Sequence, residues 1–329
     1  MIARLLALAC VAACLTGAGY GDALREARRA AGAKQMAGAV LDGGRVVWTG
    51  AAGPGARPGD VYSLASLTKT YIAALAVERA EAGALSLDAP ISTWLAGLIP
   101  AATGEVTMRE LLDHTSGVPD YLDDPDVVDG LQDSHHRWTE TELLRAVRAP
   151  TGRGTFSYSN TNYILAGAIL RRVEGRGLAA PLAQRILAPV GATSTSLARS
   201  ARLGRRVAGH HRLANDVWGP LWTDGGLVAS AADVGRFLSG LVVRGKLLAP
   251  HGLGEMLGDG TGYGLGIYPV TLHGATYWGH DGSYAGWQSY ALSSPSTGLT
   301  FVALARGGRI SGPARAIEAL SAAPLTSRQ

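Results

Sequence analysis

Two hydrophobic periodicities alternate along the chain and mark out its elements. Apolar positions between Ala23 and Ala33 fall on one helical face and predict a short amphipathic helix. Met36–Leu41 and Arg45–Gly50, separated by Asp42-Gly43-Gly44, read as two strands joined by a glycine turn. Residues 54–59 are a Gly/Pro loop. From Ser66 to Ala82, Leu67, Thr70/Tyr71, Ala74/Leu75 and Val77 recur at helical spacing until Gly83 stops the run. Residues 85–235 read as helical segments broken by loops, and the acidic stretch Asp120–Asp133 reads as one of those loops. From Tyr263 the texture becomes strand-like, with strands predicted over 262–269, 275–279, 286–293 and 299–305. Gly and Ser-Pro-Ser turns separate them, and a helix over Pro313–Ser321 closes the chain. Strands, then helices, then strands again predict an α/β (α+β) fold. Its sheet lobe is built from both chain ends, 22–84 and 236–329, with a mainly helical lobe, 85–235, inserted between them.

Composition narrows the function classes. A chain of 329 residues with 47% hydrophobic and 17% charged residues has material for one large domain or two lobes and is not a disordered chain. A net charge of +4 without a dense basic stripe excludes a nucleic-acid footprint, since the pairs Arg28-Arg29, Arg171-Arg172 and Arg205-Arg206 are short and scattered. Of the 30 Lys and Arg residues, only Lys34, Lys69 and Lys246 are lysine. Where plain positive charge suffices, this chain uses Arg. Lys differs from Arg in being able to give up its proton when its surroundings favour the neutral amine.

The first 18 residues read as a signal peptide. Arg4 supplies a short positive region, Leu5–Leu15 an apolar one, and the small residues Thr16 to Gly19 follow, with cleavage after Ala18 as one outcome. Val11-Ala12-Ala13-Cys14 also resembles a lipobox, in which case Cys14 becomes a lipidated N-terminus. Both cysteines, Cys10 and Cys14, lie in this segment, so the exported body has neither a disulfide nor a cysteine nucleophile. No second apolar stretch reaches about 18 residues, so no transmembrane helix is expected. The protein is therefore expected outside the cytoplasmic membrane, secreted or lipid-anchored at its outer face, and as a monomer.

Three short motifs could carry chemistry. Ser66-Leu67-Thr68-Lys69 places a hydroxyl and an amine three residues apart on one helical face at a helix start. A nearby base turns a Ser hydroxyl into a nucleophile, a desolvated Lys can serve as that base, and a helix N-terminus favours a developing oxyanion. Tyr158-Ser159-Asn160 offers a phenol able to relay a proton and an amide able to hold a substrate amide. His280-Asp281-Gly282 lies between two predicted strands, where Gly lets a substrate backbone approach a strand edge. Taken singly, each also reads as plain structure. The alternatives are a capping Ser with a surface Lys, a polar turn with Asn160 or Thr161 as N-cap of a helix over Tyr163–Val173, and a hairpin turn with an exposed His. The pairs His135-His136 and His210-His211 lack the spacing of helical zinc ligands, and neither H-E-x-x-H, a P-loop nor G-x-S-x-G occurs. No metal and no cofactor are expected.

In order, S-x-x-K, Y-x-N and H-x-G resemble the motif set of the serine β-lactamase and D-alanyl-D-alanine carboxypeptidase family, in its class C and esterase branch. The resemblance spans roughly residues 36–305. It is also carried by Tyr62–Thr70, Leu111–Pro119, Tyr158–Tyr163, Asp224–Ser230, Tyr263–Gly266 and Gly279–Gly282. It implies a β-lactamase/transpeptidase-like antiparallel sheet flanked by helices, and an acyl-enzyme mechanism. In that mechanism Ser66 attacks, Lys69 and Tyr158 share the proton traffic, and Asn160 holds the acyl-side amide. His280 and Gly282 line the substrate edge, and the backbone N–H groups of Ser66 and Ser283 form the oxyanion hole. Two departures shift the expected substrate. Lactamases of this branch usually carry Lys-Thr-Gly where this chain has His280-Asp281-Gly282, a form that resembles the exported carboxypeptidases. Those carboxypeptidases in turn use an upstream Arg for the terminal carboxylate, whereas residues 247–305 contain no Lys or Arg, leaving only His273, His280 or the helical lobe to supply positive charge. The resemblance thus implies a small-molecule or peptide substrate: a D-alanyl peptide first, then an ester or β-lactam. A catalytically silent penicillin-binding-like module is the rival that loss of Ser66, Lys69 or Tyr158 would have favoured.

Overall fold

The computed structural model describes residues 17–132, 139–175, 177–197 and 223–322. The N-terminal residues read as a signal peptide, up to Thr16 and with both cysteines, the pairs His135-His136 and His210-His211, and Arg205-Arg206 lie outside the described residues.

The chain starts with α1 (Gly17–Ala31), then β1 (Gln35–Asp42), β2 (Arg45–Ala52) and the short β3 (Tyr62–Ser63). A 3₁₀ turn over Ala65–Leu67 leads into α2 (Thr68–Glu81). The helical stretch comprises α3 (Ser92–Leu95), α4 (Ala101–Gly104), α5 (Met108–Leu112), α6 (Pro125–Gln132), α7 (Glu140–Arg145), α8 (Asn160–Glu174) and α9 (Ala179–Pro181). After it come β4 (Ser196–Leu197), β5 (Leu227–Ala229), α10 (Ala231–Val242) and α11 (Pro250–Leu257). The chain then returns to strands β6 (Tyr268–Leu272), β7 (Ala275–Tyr284), β8 (Trp287–Ser293) and β9 (Leu299–Arg306), and ends in α12 (Gly312–Ser321).

Both chain ends build one six-stranded sheet in the order β2-β1-β9-β8-β7-β6, with antiparallel pairing throughout. Alternation along β1 explains its two layers. Ala37, Ala39 and Leu41 join the large core with α2 and α10, whereas Met36 and Val40 face α1 and α12 through Leu24, Ile317 and Leu320. Fully burying each such Leu or Ile is worth about 1.5–3 kcal/mol. Three hairpins close through two-residue loops, Gly43-Gly44, His273-Gly274 and Ala285-Gly286, with positive φ at both residues. That is the geometry whose twist matches the flanking strands. A small sheet, β3-β5-β4, ties the chain before α2 to the chain before α10. Helix α2 runs through the middle of the molecule, and Thr68 to Val77 are all buried. It is therefore buried nearly all round, polar Thr68, Lys69 and Thr70 included, rather than amphipathic. Among the described residues, no helix is long and apolar enough to cross a membrane.

Three predicted elements are corrected. The strand expected over 262–269 is irregular chain up to Ile267, and β6 begins only at Tyr268. The acidic stretch from Asp120 is not all loop: it forms a 3₁₀ turn (Tyr121–Asp123) and α6, because Asp120 Oδ1 caps the turn by accepting from Leu122 N–H at 3.0 Å. The strand predicted to stop at Gly279 continues to Tyr284 as β7, so His280-Asp281-Gly282 is strand rather than turn.

Candidate active site

Ser66 stands in the 3₁₀ turn that enters α2, and Lys69 in the first turn of the helix. Lys69 is not on the surface: its exposure is 0%. A buried ammonium is costly unless its hydrogens are all used, and here three acceptors meet it. Nζ donates to Ser66 Oγ at 3.1 Å, to Asn160 Oδ1 at 2.8 Å and to the Asp224 carbonyl at 2.9 Å. The Ser-Lys pair is thus a built contact, and the reading of Ser66 as a cap fails: the residue before α2 makes no side-chain cap, and neither does Leu64 before the 3₁₀ turn. Ala65 enters the turn at φ 45°, in the left-handed region that costs a non-Gly residue energy, immediately before the nucleophile candidate.

Tyr158 lies across from the amine, its ring centroid 5.0 Å from Lys69 Nζ, and it is 38% exposed. The helix that follows begins at Asn160, and its N-cap is Ser159 rather than Asn160 or Thr161, with no side-chain cap bond. Asn160 is spoken for elsewhere. Besides accepting from Lys69, it donates from Nδ2 to Asp120 Oδ2 at 2.8 Å and from its backbone N–H to the same oxygen at 3.1 Å. One Nδ2 hydrogen remains for a substrate carbonyl.

The third motif closes the site from the sheet side. The backbone of Gly282 lies against the entry turn so closely that a Cβ there would sit 2.4 Å from Leu64 O and 2.7 Å from Ser66 N. Its φ is not in the left-handed region, so the glycine is required by close approach and not by a turn. Ser289, opposite Gly282 on β8, donates from Oγ to Leu64 O at 2.6 Å and locks the same junction. Ser283 follows on the exposed strand edge, paired with Gln288.

His280 is neither exposed nor charged. It is 2% exposed, and burial pushes its pKa down to about 4 against the opposing pull of Asp281. Its Nδ1 donates to the Asp281 carbonyl, which leaves Nε2 to accept from Tyr263 Oη at 2.8 Å. His273 sits in the β6–β7 turn with Nε2 3.0 Å from Ser321 Oγ of α12. His280, kept neutral by burial, does not supply the positive charge left open by the missing Lys and Arg, and His273 is turned toward α12. Asp281, by contrast, presents a 57% exposed carboxylate beside His280, with Tyr268 Oη donating to it at 2.9 Å.

Sequence reasoning missed three residues. Asp120 anchors Asn160, as described. Asp224 offers Lys69 its carbonyl, while its buried carboxyl accepts from Tyr121 Oη at 2.8 Å and is raised by burial to about 6. His114, in the segment Leu111–Pro119, is fully buried beneath Tyr158. His114 and Asp224 lie inside motif-bearing segments and Asp120 directly follows one, but only folding shows that their partners lie 40 to 155 positions away. Truncating Asp120 to Ala frees Asn160 and should lower kcat about tenfold to hundredfold with a smaller change in KM, as expected when a polar contact loses its alignment. Steady-state kinetics on an ester substrate check this.

A family model for Beta-lactamase matches residues 22–323. The chain belongs to the beta-lactamase family. Within it, the chain is 27% identical to penicillin-binding protein 4 of Amycolatopsis lactamdurans over 282 residues, 75% of this chain and 72% of that protein. It is 32% identical to esterase EstB of Burkholderia gladioli over 195 residues, covering 52% of this chain and 48% of the esterase. Among solved structures, a D-stereospecific amidohydrolase from Streptomyces sp. superposes with a TM-score of 0.79 at 27% identity, covering 92% of this chain and 97% of that one. This family membership makes the protein a serine hydrolase of the β-lactamase and penicillin-binding-protein type, with the expected β-lactamase/transpeptidase-like fold.

The buried groups of this site set a pH dependence of stability. His280, at about 4, and His114, pushed by burial to about 2, both lie below the ordinary 6.5, so the unfolded chain binds more protons below that value. Asp224, raised to about 6 from 3.8, acts with the opposite sign between those two values. Two histidines against one carboxyl leave stability falling as pH drops from 6.5 toward 4, by on the order of 1 kcal/mol per pH unit. Thermal unfolding between those limits should show a falling midpoint, and His114→Asn should flatten it.

Proposed function

We propose that this protein is an exported serine acyl-hydrolase that attacks small D-aminoacyl amides, peptides and esters through a Ser66 acyl-enzyme. The observation that carries the reading is the contact of Lys69 Nζ with Ser66 Oγ at 3.1 Å inside a site closed by Gly282. Because Lys69 donates to Ser66 Oγ, the hydroxyl hydrogen is left to point away from Nζ. Ser66 Oγ attacks the substrate carbonyl carbon, and its proton passes to the Tyr158–Lys69 pair. The tetrahedral oxyanion is held by the N–H groups of Ser66 and Ser283. The bond to the leaving amine or alcohol breaks, and that group takes the proton. Water then attacks the acyl ester, releases the acid and returns a proton to Ser66. Asn160 orients the acyl side with its remaining hydrogen, and His280 and Gly282 flank the strand edge. The N-terminal pattern of Arg4, Leu5–Leu15 and small residues supports secretion or lipid anchoring.

The charges around the site favour a substrate without a free carboxylate on its leaving side. His280 is neutral, Asp281 is exposed, and residues 247–305 hold no Lys or Arg. A cavity of about 200 Å³ beside Asp120 adds Asp123 and Asp124 against a single Arg148, which pairs with Asp124. The D-alanyl-D-alanine carboxypeptidase reading is retained as second, because the His form of the third motif favours it. A panel of D-alanine amide, a short-chain ester, a D-alanyl-D-alanine peptide and a chromogenic cephalosporin separates these. The amide or ester should exceed the peptide in kcat/KM by about tenfold or more, the effect of one unmatched charge. The reverse order would establish the carboxypeptidase.

A further inference from the structure

We propose that His114 is a positioning residue for this chemistry, holding Tyr158 in place by accepting the Ser159 N–H at Nδ1 while its ring backs the phenol. The inference rests on the acyl-enzyme reading above and adds the residue that fixes one of its proton carriers.

Two segments distant in sequence are sewn together around the site. Ser157 N–H donates to the His114 carbonyl at 2.8 Å, and Ser159 N–H donates to His114 Nδ1 at 3.2 Å. His114 therefore grips the backbone on both sides of Tyr158. The same ring lies 4.3 Å from the Tyr158 ring, inclined at 34°. Asn162 Nδ2 also meets Nδ1 at 3.2 Å, and Asn162 Oδ1 accepts from Ser116 Oγ at 2.6 Å, which fixes which end of the amide faces the histidine. With two N–H groups pointing at it, Nδ1 carries no hydrogen. The proton sits on Nε2, which is buried without a hydrogen-bond partner in the structure.

A merely space-filling residue would not be built this way. His114 holds φ at 63°, in the left-handed region that Asn, Asp and His enter more readily than other side chains. It leaves an N–H unpaired among the rings of Phe156, Tyr158, Tyr163 and Tyr263, where only weak contact with aromatic faces compensates. Phe or Leu would fill the volume without a buried unpaired N–H, although at a greater backbone cost at this φ. What His adds is a flat ring with an acceptor on one edge. The function requires it neutral, because a second proton would take away the acceptor. The groups facing it agree: the Lys69 amine acts against a positive charge there, and among the described residues no carboxylate hydrogen-bonds the ring.

The test compares His114→Phe, which keeps a ring and loses the acceptor, with His114→Asn. Asn offers Oδ1 near the place of Nδ1 and tolerates the left-handed backbone. With an activated ester, His114→Phe should lose about 100-fold in kcat with KM within about threefold, while His114→Asn recovers to within about tenfold of wild type. A Phe variant within about threefold of wild type, or an Asn variant no better than Phe, would overturn the proposal. Nitrogen NMR on the wild-type protein gives a readout independent of any variant's folding. Nδ1 should remain unprotonated and Nε2 protonated across neutral pH, and a proton on Nδ1 would count against the role. Ser66→Ala is assayed in parallel. A Ser66 adduct in wild type with normal turnover in His114→Phe defeats the His114 role alone, whereas no adduct at Ser66 defeats the acyl-enzyme reading itself.

Discussion

Replacing Lys69 with Arg should inactivate the enzyme as thoroughly as replacing it with Ala. Lys69 is fully buried, and its amine is held by Ser66 Oγ, Asn160 Oδ1 and the Asp224 carbonyl. Two features of this arrangement exclude a guanidinium. Its planar fork cannot direct three hydrogens to acceptors disposed around a single nitrogen, and it keeps its proton under all ordinary conditions. A site that needed charge alone would tolerate Arg at modest cost. A site that needs an amine exchanging a proton with Ser66 and Tyr158 would not. Lys69→Met, close in length and without charge, separates the amine's chemistry from its volume. All three variants should lose about 10²–10⁴ in acylation rate, the range of a removed acid–base group. Stopped-flow acylation by an activated ester reads this, alongside thermal midpoints that report whether each variant is folded. Near-wild-type acylation by the Arg variant would refute a proton-transfer role.

Adding one methyl group at Gly282 should be nearly as damaging. A Cβ there would lie 2.4 Å from Leu64 O and 2.7 Å from Ser66 N, and neither backbone atom can swing aside as a side-chain end could. The strand edge carrying Ser283 must then retreat from the turn carrying Ser66, which opens the pair of N–H groups proposed to hold the oxyanion. Losing one such donor costs about 10²–10³ in kcat. Gly282→Ala should therefore lose at least that factor in kcat. Ser289→Ala is the control: it removes the 2.6 Å bond to Leu64 O without intruding on the turn, and should cost less. A Gly282→Ala enzyme within about threefold of wild-type kcat would show that the strand edge is not part of the oxyanion site.

Much of this is legible in the chain because local rules and global structure agree. Asp42-Gly43-Gly44 predicts a hairpin, and the two-residue turn lies there. The strand-helix-strand order predicts a sheet built from both ends, and β1 does pair with β9. The errors arise where a residue type serves two purposes. Asp281-Gly282 is a strong turn signal, yet the glycine is needed for contact with Ser66 N, and the turn comes later at Ala285-Gly286, where the chain accepts φ 46° on an alanine. His280 reads as a source of charge in the sequence, but its surroundings reveal that burial keeps it neutral. Asp120 and His114 carry no sequence signal of their own role, because each acts on a partner more than 35 positions away. Lys69 is the counter-example. The scarcity of lysine in an arginine-rich chain draws attention to three residues, the S-x-x-K spacing picks Lys69 from them, and its burial against Ser66 supplies the reason.

The most direct measurement is the mass of the protein after brief exposure to a labelled penicillin and, separately, to an activated ester. A single acyl adduct should form with at least one probe, map to the peptide containing Ser66, and be absent in Ser66→Ala. No adduct with either probe, or an adduct that persists unchanged in Ser66→Ala, would contradict the assignment of Ser66 as the nucleophile.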